Sequence, residues 1–427
     1  MSFRAILFAV IGLAGAGYAL WRPLVGLVML GFMYFFRPDM WGAEVTVRPT
    51  LWLTFGVAAG WLITGPQWQN MRWAWWLAAL LALYTLSTLL APMTTGDSWE
   101  RLEHIAKIHV VAMLILQLCD TPRRLAAFVL SVVFGAAWFC KVTLLSWRST
   151  GFSGDVRIDT TVGQGGGANY IAWVMASTLG FLLYQAVRGS GWRRRVAVVM
   201  TLIWLATIVA TGSRGGFVAT VLAAGAALLM LRQFRALAVS VVLGGAFIFI
   251  APDEYWDRIS TITTDPQKMD ASALSRYQNV QAGLRIMRDY PLWGTGLETF
   301  PTVKLNYGAD FAVEGIVAHN TYIQLGSEVG LPMLALFAGL TLWLMARLWS
   351  AAPPAGKDAQ LVEFLRIGAL SGLVATCFQM VKGDMAHTDY LWWQYAICYG
   401  AQRMAHAAPA GGLAPLRRGA EAMEATT

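Results

Sequence analysis

Apolar residues run through the 427-residue chain in long unbroken stretches, without the alternation that marks half-buried strands. Such stretches occupy 3–20, 22–36, 49–64, 73–91, 105–119, 124–146, 168–187, 194–212, 215–231, 236–252, 329–348, 362–381 and 388–405. A helix crosses the hydrocarbon core with about 20 mainly apolar residues, slightly fewer where aromatic residues anchor it. The pattern therefore predicts an all-α integral membrane protein built as a polytopic bundle, and continuous runs argue against a membrane β-barrel. Counting every run as a span places the two chain ends on opposite sides. A bundle of about 12 spans with both ends on one side requires one run, near the start or at 388–405, to lie in the interface.

The one large insert falls between the runs ending at 252 and starting at 329. Within it, Ser275 to Asp289 places Tyr277, Val280, Leu284 and Met287 on one helical stripe, and Tyr290-Pro291 stops the helix. The expected organisation is 1–252 as N-terminal membrane helices, 253–328 as a large external loop with amphipathic helices, 329–405 as C-terminal membrane helices, and 406–427 as a disordered cytoplasmic tail. Residues 1–20 lack a polar region and cleavage site after the apolar run, which suits a retained anchor better than a removed signal peptide.

Composition removes the soluble alternatives. The chain is 57% hydrophobic and 13% charged, against roughly 25% charged in soluble domains. Its 32 Lys+Arg exceed 24 Asp+Glu by 8, an excess that in a membrane chain marks cytoplasmic loops and lipid headgroups, so no nucleic-acid partner is expected. Arg123-Arg124, Arg188 with Arg193-Arg194-Arg195, Arg232 with Arg235, Arg347 with Lys357, and Arg403 with Arg417-Arg418 fall on one side, which reads as cytoplasm. Segments 147–167, 212–214, 253–328 and 382–388 then face the opposite compartment. The four cysteines form no CxxC pair and read as packing residues.

Candidate chemistry concentrates on that opposite side. Arg148, Arg157, Arg214, Arg276, Arg285, Arg288 and Lys304 lie there, where some snorkel or pair with acids and others can line a pocket for a polyanion, since guanidinium binds phosphate through a planar fork. Arg214 sits in the short turn Thr211-Gly212-Ser213-Arg214-Gly215-Gly216, either a plain helix hairpin or a place where backbone N–H groups and a helix N-terminus meet an anion. His319 stands just ahead of a helix start, with Thr321 and Gln324 spaced as a capping box. It is either a structural histidine or a general base near neutral pH. Gly294-Thr295-Gly296 is read as a tight turn, because the full dinucleotide fingerprint is missing. Asp155, Asp159, Asp384 and Asp389 form no Asp-x-Asp metal pattern, and neither a metal nor another cofactor is expected.

These residues resemble the O-antigen ligase and polymerase superfamily. His319-Asn320, nine residues and then Gly330 match the ligase pattern, and Ser275-Arg276-Tyr277-Gln278 through Pro291-Leu292-Trp293-Gly294-Thr295-Gly296 is similar to the family's Arg-led helix and Gly-containing turn. Ser213-Arg214 corresponds to its short external loop, and Arg157 with Gly163 to Asn169 to a further element in which Ala168 replaces the usual proline. The resemblance implies a glycosyltransferase of the membrane-embedded C class in the bacterial inner membrane, its site facing the periplasm. It would move O-antigen from undecaprenyl diphosphate to lipid A–core oligosaccharide by single, inverting displacement. His319 would be the base, Arg214, Arg276, Arg157 and Arg288 would bind the diphosphate, and Asn320, Asn169 and Asp389 would support them. The alternatives are an O-antigen polymerase or O-glycosylation ligase using the same donor, and, from another class, a lipid-linked glycan transporter.

Overall fold

The computed structural model describes residues 3–36, 49–66, 68–150, 167–238, 271–308 and 317–407. Among these the chain is helical, with no strand. Helices α1 (Phe3–Ala19), α2 (Pro23–Phe35), α3 (Pro49–Ile63), α4 (Met71–Leu90), α5 (Gly96–Leu118), α6 (Pro122–Thr150), α7 (Ala168–Arg188), α8 (Gly191–Ala210) and α9 (Arg214–Met230) follow the apolar runs closely. After them come α10 (Ala271–Asp289), the single turn α11 (Phe300–Val303), a 3-10 turn (Lys304–Tyr307) and α12 (Thr321–Glu328). The last helices are α13 (Leu331–Ser350), α14 (Ala359–Met380) and α15 (Asp389–His406). The run at 236–252, Arg157 and most of the expected tail lie largely or wholly outside the described residues.

Five of the described helices, α4, α6, α7, α13 and α14, are long and apolar enough to cross a membrane. Helices α1, α2, α3 and α9 are as apolar but shorter. At 13 residues, α2 rises about 20 Å, well short of a roughly 30 Å hydrocarbon core. Chain length alone thus supports a polytopic membrane protein without reaching the expected number of spans.

Helices α7, α14 and α15 form the centre, because small residues let their backbones approach. A Cβ on Gly372 would stand 2.3 Å from the Ser177 carbonyl oxygen, and one on Gly180 would stand 2.5 Å from Ser371. Several polar side chains buried by this close packing pair with one another. Trp173 donates to Thr376 Oγ1 at 2.8 Å, Thr376 donates to Gln394 Oε1 at 2.6 Å, and Ser177 and Tyr390 share a hydrogen bond of 2.7 Å. At one end of the bundle Arg123 meets Asp358, Arg124 meets Asp120, and Arg403 donates to the Asp120 carbonyl. The described parts of the insert, 271–308 and 317–328, cap the other end, tied to Ser87 and Ser98.

That cap has its own small core of Ile286, Met287, Phe300, Val303, Ala318 and Ile323. Its helix α10 does stop before Tyr290-Pro291, but the buried stripe differs from expectation. Tyr277 and Leu284 are exposed, while Asn279, Ala282, Gly283, Ile286 and Met287 face inward. The apolar stripe lost to close contact: Gly283 packs so tightly on α12 that a Cβ there would meet Ile323 Cγ2 at 2.2 Å. Asn279 is buried on the same face, with its amide directed toward the Val317 carbonyl at 3.5 Å. All four cysteines are free, three of them buried.

Candidate functional site

Four short segments converge at the capped end: the start of α9, the first turns of α10, the start of α12 and the turn between α14 and α15. Each is held by local chemistry that leaves a charged side chain facing its neighbours.

At α9, Ser213 is the N-cap. Its hydroxyl accepts the Gly216 N–H at 3.0 Å and donates to Asn169 Oδ1 at 2.7 Å, so the turn bearing Arg214 is fastened to the first turn of α7. Gly216 permits this contact, since a Cβ there would stand 2.2 Å from Ala172 Cβ. Arg214 is therefore the first residue of a helix whose N-terminus carries a partial positive charge.

At α12 the expected capping box does not form. Asn320 is the N-cap and accepts the N–H groups of Tyr322 at 3.0 Å and Ile323 at 3.2 Å. The two residues assigned to the box serve longer-range ties. Thr321 donates to the Gly383 carbonyl at 2.8 Å and accepts the Met385 N–H at 3.0 Å, while Gln324 accepts the Ala318 N–H at 2.8 Å and donates to Glu328 at 2.6 Å. Asn wins the cap because its carbonyl oxygen reaches two amides, which frees Thr321 to fasten the α14–α15 turn. His319, immediately before the cap, holds a left-handed backbone at φ 52°.

The far end of α12 rests on the turn read as Gly294-Thr295-Gly296, and the structure makes it a buttress. The N–H groups of Thr295 and Gly296 donate to the Ser327 and Glu328 carbonyls, both at 2.9 Å, satisfying groups that a helix C-terminus leaves open. Gly294, at φ 64°, leaves no room for a Cβ, which would lie 2.3 Å from the Glu328 carbonyl carbon. Gly330 follows directly at φ 100°, against the Leu292 carbonyl. The nine residues between Asn320 and Gly330 are thus filled by one short helix with a capped start and a buttressed end.

Electrostatics ties these segments together. Burial, then the charges of Arg276 and Lys304, hold His319 below the ordinary histidine value of 6.5, with Asp384 opposing. The imidazole is accordingly neutral at pH 7 and able to accept a proton. Lys382, in the α14–α15 turn, is also depressed, by desolvation and then by Arg276 and Arg214. Arg276 therefore acts on both His319 and Lys382, and Arg214 shares Lys382 with it. The stem of Lys382 lies on the Arg214 turn, its Cγ 3.6 Å from where a Gly215 Cβ would stand. Fully buried Lys304 has its pKa lowered by desolvation.

Acidic groups gather on one flank. Burial pushes the Asp384 carboxyl up to about 6, against the Ala386 N–H, Arg101 and His319. Burial and then Glu298 raise Glu328 well above the usual carboxylate range, although it accepts the Phe300 N–H at 3.0 Å. His387 Nδ1 lies 3.8 Å from both Glu298 and Asp384, and burial pulls its pKa down to about 3. Arg101 pairs with Glu298. Among the described residues no group of three or more His, Cys, Asp or Glu side chains is arranged to hold a metal ion.

Of the residues singled out in the sequence, Arg214, Arg276, His319, Asn320 and Asn169 come together at this end. Arg288 does not: it is exposed and pairs with Asp289 at 3.0 Å, twelve residues and about 18 Å along α10 from Arg276. Asp389 begins α15 and accepts a hydrogen bond from Tyr34 at 3.3 Å, whereas Asp384 is the carboxylate that acts on His319. Lys382 escaped sequence reasoning. The available signal was its place in a segment assigned, with Arg214 and Arg276, to one compartment.

Comparison with known families comes from one stretch. Residues 196–338 match the family model described as O-Antigen ligase, which supports membership in the O-antigen ligase superfamily. The stretch contains Arg214, Arg276, His319 and Gly330. No curated protein matches the chain.

Proposed function

Starting from membership in the O-antigen ligase superfamily, we propose that the protein is an O-antigen ligase of the bacterial inner membrane, a C-class glycosyltransferase with about 12 spans and a site facing the periplasm. The superfamily implies a lipid-linked glycan donor and a lipid A–core acceptor in general terms. The finer reading is transfer of O-antigen from undecaprenyl diphosphate to a hydroxyl of the core.

The observation that carries it is the pairing of a neutral His319 with Arg276, whose charge also reaches the Arg214–Lys382 side of the site. In the proposed step the acceptor oxygen attacks the anomeric carbon and its proton passes to His319. The bond from that carbon to the diphosphate oxygen breaks with its electron pair, and the anomeric centre inverts. Negative charge grows on the departing diphosphate, where Arg214 and Arg276, with Arg157, supply fixed positive charge that needs no reorganisation during the reaction. Asn320 and Asn169 hold the His319 and Arg214 turns in place.

Lipopolysaccharide from cells with and without the gene tests the reading. Loss of the gene is expected to leave core-only lipid A and polymer accumulated on its lipid carrier. Core bearing a single repeat would instead identify a polymerase, and an accumulation of polymer facing the cytoplasm a transporter.

A further inference from the structure

We propose that Lys382 is a further diphosphate-binding cation and that, with Arg214, it grips the lipid-linked phosphoryl group, leaving the sugar-linked phosphoryl to Arg276. This rests on the donor assigned above and divides that donor between two halves of one site.

The division follows from position, since Lys382 lies along the Arg214 turn while His319 stands at the start of α12, and the charges acting on each group agree with it. His319 is acted on by Arg276, Lys304 and Asp384, whereas Lys382 is acted on by Arg276 and Arg214. Arg276 alone belongs to both sets, so it lies between a histidine half and a Lys382–Arg214 half. In an inverting displacement the base works near the anomeric carbon, on the side away from the leaving group. The phosphoryl group attached to that carbon is then within reach of Arg276, and the next phosphoryl extends into the Lys382–Arg214 half.

Position in the fold fixes Lys382 for this task. Its N–H donates to the Gln379 carbonyl at 2.9 Å as α14 ends, and the next residue, Gly383, receives the Thr321 hydroxyl from the start of α12 at 2.8 Å. Its Cβ and Cγ lie 3.8 and 3.6 Å from the Cβ position of Gly215, so the side chain rises along the Arg214 turn. A separate observation marks the same place as one for a polar ligand. Gln379 is 1% exposed, its Oε1 lies 3.4 Å from that Gly215 position, and among the described residues its Nε2, on the same amide, has no hydrogen-bond partner. A phosphoryl oxygen is a suitable acceptor for such an amide N–H. Lys supplies a compact point charge where Arg214 supplies a planar fork, a pairing that suits one tetrahedral oxyanion.

The test is binding of undecaprenyl diphosphate and undecaprenyl monophosphate to purified full-length protein in phosphatidylcholine nanodiscs. Lys382→Gln is expected to weaken both ligands by about tenfold or more, the loss of one charge-assisted contact. Lys382→Arg should retain most of the affinity, and Arg276→Gln should weaken the diphosphate far more than the monophosphate. Glycan transfer by Lys382→Gln, measured at saturating donor, should keep the wild-type acid limb, because the charges acting on His319 are untouched. Equal binding by Lys382→Gln and wild type overturns the inference, as does an Arg variant as weak as the Gln variant. Displacement of undecaprenyl diphosphate by equimolar phosphatidylglycerol also overturns it, by showing a general headgroup site. Wild-type protein that binds neither polyprenyl ligand overturns the proposed donor itself, a different outcome from a wild type that binds and a Lys382 variant that binds equally.

Discussion

Replacing Gly330 with alanine probes whether the backbone beneath α12 sets the position of His319. Gly330 holds φ 100° and ψ 170°, a region populated almost only by glycine and costing other residues about 1–3 kcal/mol. The added Cβ would lie 2.3 Å from the Leu292 carbonyl oxygen and 2.6 Å from its carbon. Ordinary contact requires a retreat of about 1 Å. Because both partners are backbone, no rotamer change relieves the clash, and overpacking of this kind costs a further 1–3 kcal/mol or so. The total, about 2–6 kcal/mol, is a large share of the roughly 5–15 kcal/mol that holds a typical domain folded. The retreat also strains the Leu331 N–H bond to Pro291, 2.8 Å long, and the two bonds from Thr295 and Gly296. Whatever part of the shift reaches His319 at the other end of α12 misplaces the base, and 1 Å there costs about 10²-fold in rate. Gly225→Ala is the control, since this helical glycine of α9 has nothing within 4 Å of its Cβ position, and alanine there should be neutral or gain about 0.5–1 kcal/mol. The assay is thermal unfolding in nanodiscs together with glycan transfer per mole of folded protein. A Gly330→Ala protein that matches Gly225→Ala in both measurements refutes the reasoning.

His319→Ala should fold and bind the lipid-linked donor while transfer falls by about 10²–10⁴-fold, and equal losses of binding and turnover would move His319 from proton transfer to diphosphate binding. A base must be unprotonated, so with the His319 pKa depressed the rate should fall as pH drops, with the midpoint of this acid limb below 6.5. Arg276→Gln removes a depressing cation and should shift this acid limb to higher pH, whereas Asp384→Asn removes the opposing carboxylate and should shift it lower; a limb unmoved by either substitution refutes the electrostatic account. Transfer by the purified enzyme should persist in a strong chelator, and activity lost to chelation but restored by Mg²⁺ would show a metal requirement.

The helices of the bundle were legible because burial in lipid leaves an unambiguous mark, a long apolar run. The face of α10 was not, since Asn279 and Gly283 are buried there by closeness of approach, which hydrophobic spacing does not record. Arg214, Arg276 and His319 stood out locally, each beside a turn or helix end. Asp384 and Lys382 did not, because their importance depends on Thr321 fastening a segment about 60 residues away. The same tie explains the misread cap: Thr321 fits the spacing of a capping box, but the distant turn competes for its hydroxyl. Arg288 looked equivalent to Arg276 on one helix, and the eleven residues between them carry it to an exposed place beside Asp289.

The short helix between His319 and Gly330 turns a chemical requirement into a requirement on length. Its start is fixed by Asn320 and Thr321, its end by the Gly294 turn, and neither anchor moves with the residues between. One inserted residue would rotate one anchor against the other by about 100° and lengthen the helix by about 1.5 Å. Substitutions that respect the small core should therefore be tolerated along this stretch, while insertions and deletions should not. What the two anchors require is a distance in residues, whichever compatible residues fill it.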